Sequence, residues 1–171
     1  HFPEGLRPVS NSNVLAALAH YQNEDGGFGH GLEADLRSKQ STVIATTVGL
    51  QILASVDAIR SPMADRALEY LSANFAANGW QAIHAGANDA PHAPWWKYKA
   101  ARGYQANPTV EVLKYLLDRR AMASATPELL DQAITHISEN TLDMHELLCY
   151  SRLFESAMLS KEQRLALLPH L

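Results

Sequence analysis

Apolar and polar positions follow helical spacing along most of the chain. The longest uncharged stretch, QSTVIATTVGLQILASV at residues 40–56, contains no Asp, Glu, Lys or Arg. A helix that is apolar on every side is typical of the interior of a larger helical body. The next segment carries apolar residues at three- and four-residue spacing, namely Ala64, Leu68, Leu71 and Phe75. This pattern predicts an inner helix followed by an outer, half-exposed helix.

Helix boundaries are marked by residues that favour helix starts and stops. Pro in the first turn and side-chain caps indicate starts, and Asn-Gly indicates a left-handed stop. The marked starts are Ser61-Pro62, Asn107-Pro108, Thr126-Pro127, Asp143 with Glu146, and Ser160 with Gln163; the marked stop is Asn78-Gly79. With a first helix at about residues 12–21, we predict an all-α fold of about seven helices in consecutive pairs. We assign the whole chain, residues 1–171, to one domain.

The sequence contains an internal repeat. Two segments share the same pattern, in which the end of a predicted helix is followed by a polar turn and then by a glycine and an aromatic residue. They are LAALAHYQNEDGGFG at residues 15–29 and DRALEYLSANFAANGWQ at residues 65–81. An inner helix is predicted after each. Residues 131–148 form a third, more degenerate copy with a shortened loop. Such repetition is typical of architectures in which helical hairpins stack on one another.

The first copy carries a motif shared with a known superfamily. Gln22, Gly26 and Phe28 form Q-x-x-x-G-x-F, which resembles the QW motif of the terpenoid cyclases and protein prenyltransferases. The run DGGFGHGLEADLR and the stretch PHAPWW are similar to uncharacterised bacterial proteins of that superfamily. The resemblance implies an α/α toroid with a central cavity. It also implies that the Gln22 amide bonds carbonyls at an outer-helix C-terminus, against which Phe28 stacks.

The number of hairpins bears on the completeness of the ring. Closed toroids of the superfamily use about five or six helical pairs, whereas about three are recognisable here, and the chain begins at His1. We therefore expect an incomplete ring with an unmatched apolar edge at Leu165, Leu167, Leu168 and Leu171. Such a chain is either a fragment of a longer protein or a homo-oligomer that associates through this edge.

Composition and charge exclude several classes of protein. The 171 residues are 47% hydrophobic and 19% charged, which is enough for a packed core, and the formal net charge is −4. This charge gives no basic field for nucleic acid. Residues 40–56 are too short and too rich in Ser, Thr and Gln for a membrane span. A lone cysteine, Cys149, excludes an intrachain disulfide and favours a reducing compartment, so we predict a cytoplasmic protein.

The first candidate chemistry lies in the acidic loop, which we define as residues 22–37. Its sequence QNEDGGFGHGLEADLR combines four glycines with four carboxylates. Asp25, Glu33 and Asp35 are candidate catalytic acids or bases. His30 and Arg37 are candidate ligand-binding residues. The alternative is a salt-bridged loop in which Glu33 or Asp35 caps the next helix.

The second candidate is the aromatic loop, defined as residues 79–106, which holds all three tryptophans. A loop of this length inside a compact domain is usually functional or disordered, and its aromatic content argues against disorder. Candidate ligand-binding residues here are His92, Trp95, Trp96 and Tyr98, followed by a possible anion-binding edge of Lys97, Lys99 and Arg102. The alternative is that the aromatics plug the toroid. Because both loops precede inner helices in equivalent repeats, we expect them to share one cavity.

The catalytic signatures of the resembled superfamily are missing. The sequence contains no D-x-D-D acid motif and no D-D-x-x-D motif, and Cys149-Tyr150 lacks the preceding aspartate of a prenyltransferase zinc site. His30, His84 and His92 are a conceivable metal trio, but no H-x-x-x-H or C-x-x-C spacing anchors them. We therefore predict no metal site and no cofactor.

Three functions remain open from the sequence. The first is binding of a small-molecule ligand or substrate in a central cavity, either isoprenoid-like or another hydrophobic or polyol compound, with possible acid or base chemistry. The second is a non-catalytic binding module of the same fold. The third is glycan processing by paired carboxylates. The fold alone does not decide among them.

Overall fold

The computed structural model describes residues 11–76, 78–100 and 103–171. Helices make up most of this part of the chain, and no β-strand occurs in it beyond isolated bridges, which confirms the all-α prediction. Seven α-helices are found in the described ranges: α1 (Asn11–Ala19), α2 (Val43–Ser55), α3 (Pro62–Ala73), α4 (Ala106–Arg119), α5 (Thr126–Glu139), α6 (Met144–Phe154) and α7 (Lys161–Leu167). In this part of the chain, no helix has the length and apolarity to cross a membrane.

The uncharged segment forms α2, whose start is fixed by Thr42. The Thr42 hydroxyl accepts a hydrogen bond from Ala45 N at 3.2 Å, which satisfies one of the backbone donors that a helix start leaves open. The first turns of α2 are buried on all sides, and Thr46 and Thr47 are fully buried with their hydroxyls bonded to backbone carbonyls of the same helix. The prediction of an inner helix is therefore confirmed, and Thr42 caps it instead of Glu33 or Asp35.

The predicted starts of the later helices are also confirmed. Ser61 caps α3 with Pro62 in its first turn, and both capping boxes, at α6 and at α7, are formed reciprocally. The predicted stop of α3 is wrong. That helix ends at Ala73, where the Asn74 side chain bonds the Tyr70 carbonyl at 2.8 Å, and Asn78-Gly79 lies in the turn that follows. A cap by Asn74 closes the helix before the glycine is reached.

α4 lies at the centre of the packing. It contacts α2, α3, α5 and α6, while α5 also contacts α7. Apolar residues along α4, including Val110, Leu113 and Leu116, are fully buried. These contacts place α2, α4 and α6, the second helix of each predicted pair, next to one another in sequence order.

Two equivalent hydrogen bonds support the internal repeat. The backbone N–H of Phe28 donates to Thr46 Oγ1 in α2 at 3.0 Å, and the backbone N–H of Trp80 donates to Thr109 Oγ1 in α4 at 3.1 Å. All four residues are buried. In both copies the aromatic residue at the end of the motif is thus fastened to a threonine near the start of the inner helix that follows.

The motif at Gln22 forms a different set of contacts from the one expected. The last carbonyls of α1 already accept loop N–H groups, so the Gln22 amide bonds Gly26 O at 2.8 Å and Met63 O, in the first turn of α3, at 2.9 Å. Phe28 is completely buried against Gly49 of α2, where an added Cβ would lie 2.7 Å from its ring. Gln22 and Phe28 therefore join the acidic loop to two neighbouring helices, α3 and α2.

The C-terminal edge is partly apolar, as expected. Leu165, Leu168 and Leu171 are exposed, whereas Leu167 is fully buried in the main core. The expectation for Leu167 is wrong because it lies on the inward side of α7.

Candidate functional site

The acidic and aromatic loops lie side by side. Leu36 and His92 face each other in an isolated antiparallel bridge. On either side of it, Arg37 N donates to Pro91 O and Ala93 N donates to Asp35 O, both at 2.9 Å. The backbone of the acidic loop therefore fixes the path of the aromatic loop just before the tryptophan pair.

Beneath this junction is a second, smaller core. Leu36, Ile44, Ile83 and Ala87 are buried together, and the partly buried rings of Trp96 and Tyr98 pack against them. The acidic loop thus contributes a buried leucine that supports the aromatic side chains from behind.

The aromatic side chains border a cavity of about 410 Å³. Its walls come from the aromatic loop and from the starts of α4 and α6. It is lined by Gln81, Ala82, Ile83, Trp95, Trp96, Lys97, Tyr98, Lys99, Tyr104, Gln105, Ala106, Asn107, Asp143 and Glu146. A volume of this size is in the range of small-molecule sites.

The cavity lining combines aromatic rings with hydrogen-bonding groups. It contains four aromatic residues, three side-chain amides, two lysines and two carboxylates, and only three lining residues are aliphatic. Trp95 is 68% exposed, which is unusual for the largest apolar side chain. Arg102, predicted to extend the lysine edge, lies outside the described residues.

The indole nitrogen of Trp96 is buried and has no hydrogen-bond partner among the described residues. Leaving a buried donor unsatisfied costs about 1–3 kcal/mol. Trp96 also lines the cavity, so a side-chain adjustment that exposed this N–H would let a ligand oxygen bond it and recover that cost.

The two cavity carboxylates are held by the α6 capping box. Asp143 Oδ1 accepts from His145 N at 2.8 Å and from Glu146 N at 2.9 Å, while Glu146 Oε2 accepts from Asp143 N at 3.1 Å. The other Glu146 oxygen lies 3.4 Å from His136 Nε2. These contacts fix both carboxylates as acceptors at one wall of the cavity.

Asp25 and His30 belong to the glycine-rich part of the acidic loop. Asp25 Oδ1 accepts from Ser41 Oγ at 2.7 Å and from Gly27 N at 3.0 Å, and His30 Nε2 lies 2.8 Å from Asn23 Oδ1. Both line a shallow depression with Lys39. They are not among the residues that line the aromatic cavity.

The remaining residues predicted for the site sit at the loop junction. Glu33 Oε1 accepts a long bond of 3.5 Å from Asp35 N, and the exposed Arg37 side chain passes beside Gly31. His92 Nδ1 is 2.7 Å from the carbonyl of Ala90, within its own loop. The structure thus brings Trp95, Trp96 and Tyr98 to the cavity, but not Glu33, Asp35, Arg37 or His92.

Several cavity residues were not predicted from the sequence. They are Gln81, Tyr104, Gln105, Asn107, Asp143 and Glu146. The sequence does contain a pattern that could have identified the two glutamines. Each directly follows an aromatic residue, in Trp80-Gln81 and Tyr104-Gln105, at the two ends of the aromatic loop. Asp143 and Glu146 were recognised only as a helix start.

In the ranges that the structure describes, no group of three or more His, Cys, Asp or Glu side chains is arranged to hold a metal ion. No protein-family model matches the chain, and neither does any curated protein or solved structure.

Proposed function

We propose that the protein binds a saccharide or a similar polyol in the cavity lined by Trp95, Trp96 and Tyr98. The observation that carries the proposal is the pairing of this aromatic wall with the amides of Gln105 and Asn107. A sugar ring has a C–H face that packs on aromatic rings and a rim of hydroxyls that needs donors and acceptors. The cavity supplies both kinds of surface.

An isoprenoid fits this lining less well. The aliphatic residues are Ala82, Ile83 and Ala106, which offer little surface to a hydrocarbon chain. A bound hydrocarbon would also remove water from the amides and charges without replacing its hydrogen bonds, which is costly. The polyol alternative therefore has the better physical support.

The proposal concerns binding and assigns no hydrolysis. Asp143 and Glu146 are engaged by the α6 cap, which favours a role as fixed acceptors for ligand hydroxyls. Acid or base roles for Asp25, Glu33 and Asp35 stay a prediction.

We further propose that the hairpins form an arc of an α/α toroid with the cavity on its inner side. Support comes from the contacts of α4 with both α2 and α6 and from the repeated aromatic–threonine hydrogen bond. A cytoplasmic location and self-association through the exposed leucines of the C-terminal edge, Leu165, Leu168 and Leu171, remain parts of the same proposal.

Ligand-observed NMR and titration calorimetry test the binding. The probes are glucose, galactose, N-acetylglucosamine, maltose and cellobiose, with geranylgeranyl diphosphate as the isoprenoid comparator. We expect saturation transfer to at least one saccharide, lost in Trp95→Ala and weakened several-fold in Trp96→Phe, which keeps an aromatic ring but removes the N–H.

Asp25→Asn is the matched control, because it alters a loop carboxylate outside the cavity, and its binding should equal that of the native protein. Binding of geranylgeranyl diphosphate without any saccharide binding would overturn the proposal.

A further inference from the structure

The aromatic cavity has a neighbour on the far side of Tyr104. This second compartment has a volume of about 470 Å³ and is formed mainly by one face of α5. It is lined by Asn78, Tyr104, Glu128, Asp131, Gln132, Thr135, His136, Glu139 and Asn140. Tyr104 belongs to the walls of both spaces.

Direct contacts couple the two compartments. The Tyr104 ring meets His136 edge-on, with ring centroids 5.1 Å apart. His136 Nε2 in turn lies 3.4 Å from Glu146 Oε1, and Glu146 lines the aromatic cavity. A ligand crossing Tyr104 would pass from one set of fixed polar groups directly to the next.

A third, smaller depression of about 170 Å³ shares lining residues with both compartments. It shares Gln81 and Gln105 with the aromatic cavity and Asn78 with the second compartment. The three spaces therefore adjoin through common side chains, as the parts of an elongated groove do.

The second compartment has an unmet hydrogen-bonding group of its own. Gln132 Oε1 is buried and has no partner among the described residues. Like the Trp96 N–H, it would gain a hydrogen bond from a ligand donor if a side-chain adjustment exposed it to the compartment. A third such atom, the hydroxyl oxygen of Tyr104, belongs to a residue that lines both compartments.

We infer that the site takes an oligomeric glycan of at least two units, with one unit on the tryptophan pair and the next beyond Tyr104. This inference rests on the proposed function and specifies its ligand class. Each compartment has the volume of a small-ligand site, so a single sugar would leave one of them unfilled.

Charge restricts the second unit. The charged side chains that line the second compartment are Glu128, Asp131 and Glu139, and neither Lys nor Arg lines it in the described ranges. A unit bearing a carboxylate or sulfate would be repelled there. The continuing unit is therefore neutral or cationic, as in a neutral or amino sugar.

The test is a chain-length series measured by calorimetry on the intact protein. Its probes are N-acetylglucosamine and glucose, each with its β1,4-linked dimer and trimer. We expect affinity to rise at least tenfold from monomer to dimer or trimer in one series.

Gln132→Leu should remove most of this gain while leaving monomer affinity unchanged. Because it replaces an unsatisfied buried acceptor with an apolar group of similar size, the variant should fold normally, which circular dichroism checks. Gln51→Leu on α2 is the matched control and should behave as the native protein.

The outcomes separate the inference from the proposed function. If monomer and oligomers bind equally and Gln132→Leu has no effect, the extended groove is wrong and the single-sugar site stands. If no saccharide binds at all, both are overturned.

Discussion

The backbone N–H of Phe28 donates to the hydroxyl of Thr46, and the same hydroxyl donates onward to the Thr42 carbonyl at 2.7 Å. Thr46 therefore joins the acidic loop to the first turn of α2 through one buried oxygen. The counterpart in the second repeat is the bond from Trp80 N to Thr109 Oγ1. Both long loops are thus attached to their inner helices by a threonine, and the attachment can be tested by deleting one oxygen.

Thr46→Val should destabilise the protein by about 1–3 kcal/mol, because it leaves the buried Phe28 N–H without its acceptor while preserving side-chain shape. Urea unfolding followed by circular dichroism measures the change. Thr135→Val, at an exposed position of α5, is the control and should change stability by no more than about 0.5 kcal/mol. Equal midpoints for both variants would show that the Phe28 N–H finds another partner.

Gly49→Ala should also be destabilising, despite the higher helix propensity of alanine. The added methyl would lie 2.7 Å from the Phe28 ring, and overpacking of this kind costs about 1–3 kcal/mol. Phe28→Leu removes part of the obstructing ring, so the double variant should lose less stability than the sum of the two single variants. Strict additivity in the double-mutant cycle would contradict the contact.

The fold was largely predictable because its signals are local. Thr126-Pro127 and the capping boxes at Asp143 and Ser160 each mark a helix start within a few residues. The end of α3 was missed because two stop signals, Asn74 and Asn78-Gly79, lie close together, and the first one acts.

The site was less predictable because it is assembled from distant segments. Trp95 and Trp96 were identified from composition, but Gln81, Gln105 and Glu146 reach the same cavity only through the packing of α4 against α6. The spacing of residues within one segment does not predict which distant segments line the same cavity. For the acidic loop, the charged residues led to the prediction of a ligand-binding role. The side chain that this loop places beneath the aromatic wall is instead the apolar Leu36.

Ile44→Asp should cost several kcal/mol, because it places an unpaired charge in the small core formed with Leu36, Ile83 and Ala87. Chemical denaturation measures the loss. Ser55→Asp, at the exposed end of the same helix, is the control and should cost no more than about 1 kcal/mol. An Ile44→Asp protein as stable as the Ser55→Asp protein would refute the buried position of α2.

Stability should fall as pH rises above about 9, in part through Cys149. Burial, aided by the Glu111 carboxylate, raises the pKa of the Cys149 thiol from 9.0 to about 12. The unfolded chain therefore releases this proton at lower pH than the folded chain, so the thiol's contribution is complete below pH 9 and is lost between about pH 9 and 12.

The measurement is the change in unfolding free energy between about pH 8 and pH 9.5. Cys149 should account for about 1 kcal/mol of the decrease, so Cys149→Ala should show a shallower slope even if it is less stable at every pH. Parallel slopes for the two proteins would show that the thiol titrates normally in the fold.

Leu36→Ala distinguishes support of the site from contact with the ligand. Leu36 is buried under Trp96 and Tyr98 at the point where its backbone pairs with His92, so truncation removes packing behind the cavity wall without touching the cavity itself. We expect a loss of about 2–5 kcal/mol in stability and, in protein that circular dichroism shows to be folded, a several-fold loss of saccharide affinity.

The matched control is the double variant Glu33→Gln, Asp35→Asn, which removes both neighbouring charges and leaves the leucine in place. Its affinity should equal that of the native protein, since neither carboxylate lines the cavity. The reverse result, with normal binding in Leu36→Ala and weak binding in the amide variant, would mean that the acidic loop meets the ligand through its carboxylates and would restore their candidacy as catalytic groups.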